Sequence, residues 1–233
     1  MDALEEWTVK STIGVIEFRG RTLIGVVETG DEPRRTRLTA KGAATKARII
    51  AAADELMYER GVAQTSLSDV RAASATSKSQ LYHHFVDKEA LVREVISYRA
   101  ARLLEQQHQR LHRLDSLRGL ELWRDALVER NALRQGAYGC PLGSLASEVA
   151  DVDEDARKEV ERYFAAWQRL LCDGLERMRG MGVLRADADP DALATGLLAA
   201  LQGGYLLAQT ARDVRPMEVA LDMAIAHVRS FAV

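Results

Sequence analysis

Two cysteines in 233 residues cannot supply a disulfide framework, and no secretory signal opens the chain, so a cytoplasmic protein with reduced thiols is expected. No apolar run approaches membrane-spanning length in this reading. A net charge of −2 excludes a uniformly basic nucleic-acid binder, so any such function must rest on how charge is distributed. No Gly-rich phosphate loop, Ser-His-Asp arrangement or pair of carboxylates in an apolar setting can be picked out. The acids sit mostly in first helical turns or on polar faces. A lone Cys140 nucleophile is weak evidence for a hydrolase. The nearest histidines in sequence are His108 and His112, and no cluster has metal-ligand spacing, so neither metal nor cofactor is expected. Internal repeats and low-complexity stretches are also missing.

What is present is concentrated between Thr65 and Glu89, TSLSDVRAASATSKSQLYHHFVDKE. Ser66-Leu67-Ser68-Asp69 is a helix-opening capping pattern, and Ser77-Lys78-Ser79-Gln80 is a second. Leu67, Val70 and Ala73 form a narrow apolar stripe on the first helix, and Leu81 and Phe85 anchor the second. Ser74, Ala75 and Thr76 mark the turn between them. Asp87 caps a third helix, with Glu89 in its first turn. This is the layout of a helix-turn-helix, whose second helix enters the major groove. Lys78, Ser79, Gln80, Tyr82 and His83 stay on the open side of that helix. Lys reaches phosphate or guanine, Gln pairs with adenine, and Ser donates to either. Tyr and His near a helix end contact phosphates, which orient without reading sequence. Singly, each of these residues equally fits a solvated surface; the two caps, short turn and flanking helices together favour DNA.

Charge distribution agrees. From Pro33 to Phe85 there are nine basic and four acidic side chains, a local surplus of five, so the remainder is net acidic. Residues 46–60 form an amphipathic helix through Ile49, Ala53, Leu56 and Met57, closed by Gly61. Upstream, Pro33 to Lys41 is a basic arm, suited to the minor groove or phosphates and equally to a solvated linker. Thr12–Phe18 and Thr22–Glu28 read as a β-hairpin around Arg19-Gly20-Arg21, to which no function is assigned.

The stretch TKARIIAAADELMYERGVAQTSLSDVRAASATSKSQLYHHFVDKEALVRE, from Thr45 to Glu94, resembles the DNA-binding domain of TetR-like transcriptional repressors, and LYHHF followed by DKEAL is specific to that family. The resemblance implies an all-α homodimer with an N-terminal three-helix helix-turn-helix domain and a larger helical ligand-binding and dimerisation domain. The expected boundaries are 1–36 for an N-terminal extension, 37–90 for the DNA-binding domain and 91–233 for the rest. By motif position and charge, the DNA-facing set is Arg48, Thr65, Ser66, Ser77, Lys78, Ser79, Gln80, Tyr82, His83 and Lys88. Two departures stand out: Ala75 and Ser79 replace glycines common in the family. A left-handed Ala75 costs roughly 1 kcal/mol, so a slightly different turn is expected.

Beyond Lys88 the chain reads as helix throughout, in segments near 88–114, 117–135, 145–150, 154–179, 190–211 and from Pro216 onward. Gly139 to Glu148, GCPLGSLASE, resembles the C-terminal domain of the lincomycin- and flavonoid-responsive subgroup. That implies a small, largely apolar or aromatic effector. Trp123, Tyr138, Cys140, Phe164, Trp167 and Tyr205 are the candidate pocket set, against the alternative that they are plain core. Cys140 as a thiol sensor is a second alternative to a structural thiol. Gly196, Ala200, Gly203 and Gly204 make a small-residue face, which fits either a dimer interface or close packing within one subunit. The expected partners are a palindromic operator duplex, a small-molecule effector and a second copy of the chain, with no membrane. A helical ligand-binding protein that has lost DNA binding would show damaged recognition residues, and none is seen.

Overall fold

The computed structural model describes residues 39–233 and, within residues 1–38, the backbone of three short strands. Those strands are β1 (Thr8–Lys10), β2 (Val15–Phe18) and β3 (Arg21–Thr22), in an antiparallel sheet of order β1-β2-β3. Glu17 pairs with Thr22 and Phe18 with Arg21, so Arg21, expected in the connection Arg19-Gly20-Arg21, belongs to β3; Arg19 and Gly20 lie outside the described residues. β1 was not anticipated; it pairs with β2 from Thr8↔Glu17 to Lys10↔Val15. The expected second strand beyond Thr22 and the basic arm up to Leu38 lie outside the described residues.

Residues 43–233 form one compact helical unit. Its helices are α1 (Ala40–Arg60), α2 (Leu67–Ala73), α3 (Lys78–His84), α4 (Lys88–Leu111), α5 (Leu117–Ala132), α6 (Pro141–Val149), α7 (Glu154–Gly180), α8 (Pro190–Ala211) and α9 (Arg215–Arg229). The chain chemistry sets most boundaries. Ser66, Ser77, Asp87, Ser116, Asp153 and Asp189 each accept a backbone N–H at a helix start. Gly61, at φ +85°, turns the chain out of α1. α6 begins earlier than its apolar pattern suggested, because Pro141 sits at its first position, where the missing N–H costs nothing.

The small three-helix unit closes over Ile49, Ala53, Met57, Val70, Leu81 and Phe85, all buried. In the larger body, α8 packs on α9 and α7, and α7 packs on α4. Trp123, Trp167, Leu171, Leu175, Leu197 and Leu201 lie in its interior. The C-terminus is pinned by the Leu184↔Ala232 bridge and by Arg185 N–H donating to Phe231 O at 2.8 Å. One sequence expectation is corrected: α8, at 22 residues and mean hydropathy 1.2, is long and apolar enough to cross a membrane by length and composition. In the fold Leu193, Leu197, Leu198 and Leu201 are buried in the body where α8 packs against α9 and α7.

α1, α4 and α6 are tied together by one buried cation. Arg99, only 5% exposed, donates through Nε to Asp54 Oδ1 at 2.6 Å and through Nη2 to Asp54 O at 2.8 Å. Its Nη1 reaches Pro141 O at 2.9 Å. A guanidinium satisfied on all sides can be buried; an unpaired one cannot. At the other end of α6, the Glu148 carboxylate accepts from Val62 N–H at 2.7 Å and Ala63 N–H at 3.3 Å, in the loop that leads into α2.

Candidate nucleic-acid interface and sensing cleft

α2 and α3 are seven residues each, too short to hold without caps, and both are capped reciprocally. Ser66 Oγ accepts from Asp69 N–H at 3.2 Å while Asp69 Oδ2 accepts from Ser66 N–H at 2.9 Å. The Ser66 hydroxyl, donating to Asp69 Oδ2 at 2.6 Å, and then the Ser66 N–H hold the Asp69 carboxyl below its usual range. On α3, Ser77 Oγ accepts from Gln80 N–H at 3.2 Å and Gln80 Oε1 accepts from Ser77 N–H at 2.8 Å. Between the helices, Ser74 and Thr76 share a buried hydrogen bond of 2.8 Å, and Ala75 takes φ +50°. The turn is therefore left-handed in spite of its Cβ, not rebuilt around it.

Lys78, Ser79, Gln80, Tyr82 and His83 are all exposed along one side of α3, and the Lys78 ammonium lies 5.9 Å from the Tyr82 ring centre. Ser66, Ser77 and Arg48 are also exposed, and Lys88 sits at the start of α4, its Nζ 3.5 Å from Ala63 O. Thr65 departs from the expected set. It is 1% exposed, and its hydroxyl donates to Gly61 O at 2.8 Å, so its side chain braces the α1–α2 turn. Gln80 is more constrained than its chemistry suggested, because the oxygen needed for bidentate adenine pairing already holds the cap. His84, partly buried beside His83 and Lys46, has its pKa lowered, chiefly by burial.

The second region is a shallow cleft, partly open to solvent and with enclosed room of only about 10 Å³, about one water molecule, lined by Arg130, Asn131, Arg134, Ala137, Gly139, Pro141 and Tyr205. Tyr58 and Tyr138 stack at its edge with ring centres 5.2 Å apart, and Arg134 Nη1 donates to the Tyr58 hydroxyl at 2.5 Å. Burial pushes the Tyr205 phenol well above its usual range. Of the six expected pocket residues, Tyr205 lines this cleft, and Tyr138 and Cys140 flank Gly139 beside it. Trp123 belongs to the core, its indole N–H donating to Gln107 Oε1 at 2.9 Å. Trp167 is fully buried and Phe164 partly buried on α7, and neither lines the cleft. Burial also raises the Cys140 thiol pKa, which disfavours the thiolate that a sensor needs.

Arg130, Asn131 and Arg134 were not anticipated. A signal existed: neither arginine has an acid three or four positions away in sequence, so neither has the usual ion-pair partner of a helix surface.

The small-residue face divides. A Cβ on Gly204 would come within 2.9 Å of Met217 Cα, so Gly204 serves the close α8–α9 crossing inside the chain rather than an outer interface. Gly196 and Gly203 face open space, and Ala200 is partly exposed between them. Nearby on α8 and α9, Leu206, Leu207 and Met223 are 62%, 56% and 70% exposed.

A seven-residue capped helix presenting Lys, Ser, Tyr and His, joined by a tight turn to its supporting helix, defines a helix-turn-helix regulator of transcription. Comparison with known proteins gives the family. The model for bacterial regulatory proteins of the tetR family matches residues 49–95, and that for the LmrA/YxaF-like transcriptional regulator C-terminal domain matches residues 117–223. An uncharacterized HTH-type transcriptional regulator from the lacX 3′ region of Lactococcus lactis subsp. lactis is 31% identical over 77% of this chain and 90% of its own length. The HTH-type transcriptional repressor NemR of Escherichia coli (strain K12) is 28% identical, over 80% of this chain and 92% of its own. The crystal structure of regulatory protein TetR from Rhodobacter sphaeroides superposes with TM-score 0.65 at 26% identity, covering 78% of this chain and 98% of that one. This chain belongs to the TetR family: it is a DNA-binding transcriptional regulator, not an enzyme.

Proposed function

We propose that the protein is a cytoplasmic, homodimeric repressor that holds a palindromic operator and is released by a small molecule bound in the Arg130–Tyr205 cleft. The observation that carries this reading is the exposed row Lys78, Ser79, Tyr82 and His83 on a helix whose two ends are fixed by its own caps and by the Phe85 anchor. A groove-reading helix must be rigid before it binds, and this one is. Exposed leucines beside Gly196 and Gly203 supply an apolar face for a two-fold partner, the symmetry that a palindrome requires.

The linkage between the two regions runs along α6. Pro141, at its first turn, lines the cleft and receives Arg99; Glu148, near its end, grips Val62 and Ala63 just ahead of α2. A ligand that displaces the first turn of α6 acts on that grip, and so on the spacing of the two α3 helices in the dimer. Footprinting upstream of the protein's own gene tests the reading. A protected palindrome with half-sites about 10 bp apart is expected, and no protected palindrome anywhere overturns it. Analytical ultracentrifugation of Leu207→Glu tests the dimer: dissociation is expected, and an unchanged mass refutes the α8–α9 face.

A further inference from the structure

The two capping boxes are closed by different chemistry. On α2 a carboxylate closes the box, and both Ser66 bonds to Asp69 end on its Oδ2. On α3 an amide does so, that of Gln80. An amide has two unlike ends. The Ser77 backbone N–H can only donate, so the Gln80 atom that meets it at 2.8 Å must be the oxygen, Oε1. The other end, Nε2, is thereby turned away from the cap. Gln80 is exposed, and its Nε2 makes no hydrogen bond among the described residues.

The neighbours of Gln80 have the same polarity. Lys78, also exposed, carries three donors and no acceptor, and it pairs with no acid among the described residues. Ser77 Oγ accepts from Gln80 N–H and shares a hydrogen bond of 3.0 Å with Ser79 Oγ. One hydroxyl proton of the serine pair is left over whichever of them donates. From Ser77 to His84 there is no carboxylate. The face that α3 offers first is therefore rich in donors, and its one amide oxygen is spent inside the protein.

Base edges sort by this polarity. In the major groove guanine presents N7 and O6, both acceptors, whereas adenine presents N7 beside an N6 amine and cytosine an N4 amine. An amide with both ends free matches adenine. With its oxygen committed to Ser77 N–H, it leaves the adenine amine without an acceptor, while its own N–H donors still suit guanine. We infer that Gln80 fixes a guanine in each operator half-site, donating from Nε2 to the acceptor edge and rejecting the amine edges of adenine and cytosine. This rests on the reading of α3 as the operator-binding helix, and it replaces the adenine pairing that residue type alone suggested. Lys78 donates to whatever it meets, guanine or phosphate, and reinforces the same preference.

The test uses the full-length protein and a pool of inverted-repeat duplexes with randomised half-sites, followed by fluorescence anisotropy on the duplexes selected. Guanine is expected at one or more positions of each half-site. Replacing that guanine by 7-deazaguanine, which lacks the N7 acceptor, is expected to weaken binding about tenfold or more. Hypoxanthine, which keeps N7 and O6, is expected to leave binding within about twofold. Gln80→Glu keeps the cap, because Glu closes the same box, so circular dichroism and melting temperature are expected to match the parent. Its outward atom is an acceptor. A second selection with Gln80→Glu is expected to return cytosine where the parent returned guanine, a change that a purely capping residue would not produce. Half-sites without guanine, indifference to 7-deazaguanine, or an unchanged base preference in Gln80→Glu each overturns the inference and leaves operator binding in place. No duplex recovered from the pool refutes the operator reading itself, and the inference with it.

Discussion

The α2–α3 unit and the Arg130 cleft solve opposite problems. In α2–α3, each polar group near a helix start finds its partner within three residues: Ser66 with Asp69, Ser77 with Gln80, Ser74 with Thr76. The cleft draws on α5, the following loop, α6 and α8, and leaves the Asn131 amide oxygen buried and unpaired. A surface that must dock on a rigid duplex gains from being complete beforehand. A surface that must respond to a molecule gains from being incomplete until that molecule arrives.

The largest expected effect falls on the long-range side. Arg99→Met leaves Asp54 partly buried without its cation and Pro141 O without its donor. It is expected to cost about 3–5 kcal/mol in urea denaturation, and a loss below about 1 kcal/mol would show that the α1–α4–α6 junction is not held this way. On the DNA side, Lys78→Ala is expected to reduce the slope of log affinity against log salt by about one. Tyr82→Ala and Lys88→Ala should weaken all operators alike. Gln80→Ala separates cap from reader: equal loss on every operator, together with reduced helicity, assigns Gln80 to the cap, and relaxed preference at one base pair assigns it to readout.

Glu148→Ala removes the acceptor for two backbone N–H groups and is expected to cost about 1–2 kcal/mol. Operator affinity that no longer responds to the effector would place the coupling there. Ala75→Gly relieves the left-handed Cβ and should raise stability by about 0.5–1 kcal/mol, net of the added freedom of the unfolded chain. A destabilised variant would mean that the turn is not strained. Smallest is a pH effect. Folding lowers the Asp69 pKa below 3.8, so its cap is in full force above that value and fades as pH falls through the lowered one. Asp69→Asn should flatten that part of the acid-unfolding curve.

What the sequence made legible follows the same division. The caps at Ser66, Ser77 and Asp87 were readable because each is a local bargain between neighbours in the chain, and the order of the first helices followed from them. Thr65 was misplaced because motif position does not say which way a side chain faces. Trp123, Phe164 and Trp167 were grouped with Tyr205 on residue type, although the fold buries or points them elsewhere. Gly204 and Gly203 are adjacent and alike in sequence, yet only one meets a neighbouring backbone. Arg130 and Arg134 stayed hidden because an arginine on a helix is ordinarily solvated, and their lack of acids within the chain is a pattern of omission.

The Glu148 grip on Val62 and Ala63 has a consequence for how such proteins diversify. A DNA-binding unit that merely hung from α4 could be exchanged between relatives as a cassette, carrying its operator preference with it. Here the loop entering α2 is seated on an acid that belongs to the region matched by the C-terminal-domain model. A chimera that joins residues 39–95 to a foreign body with no acid at that place should still fold and recognise its operator, yet answer the new effector poorly. New operator preferences in this lineage are then expected to arise by changes along α3, and new effectors by changes around α5, with α6 conserving its two ends.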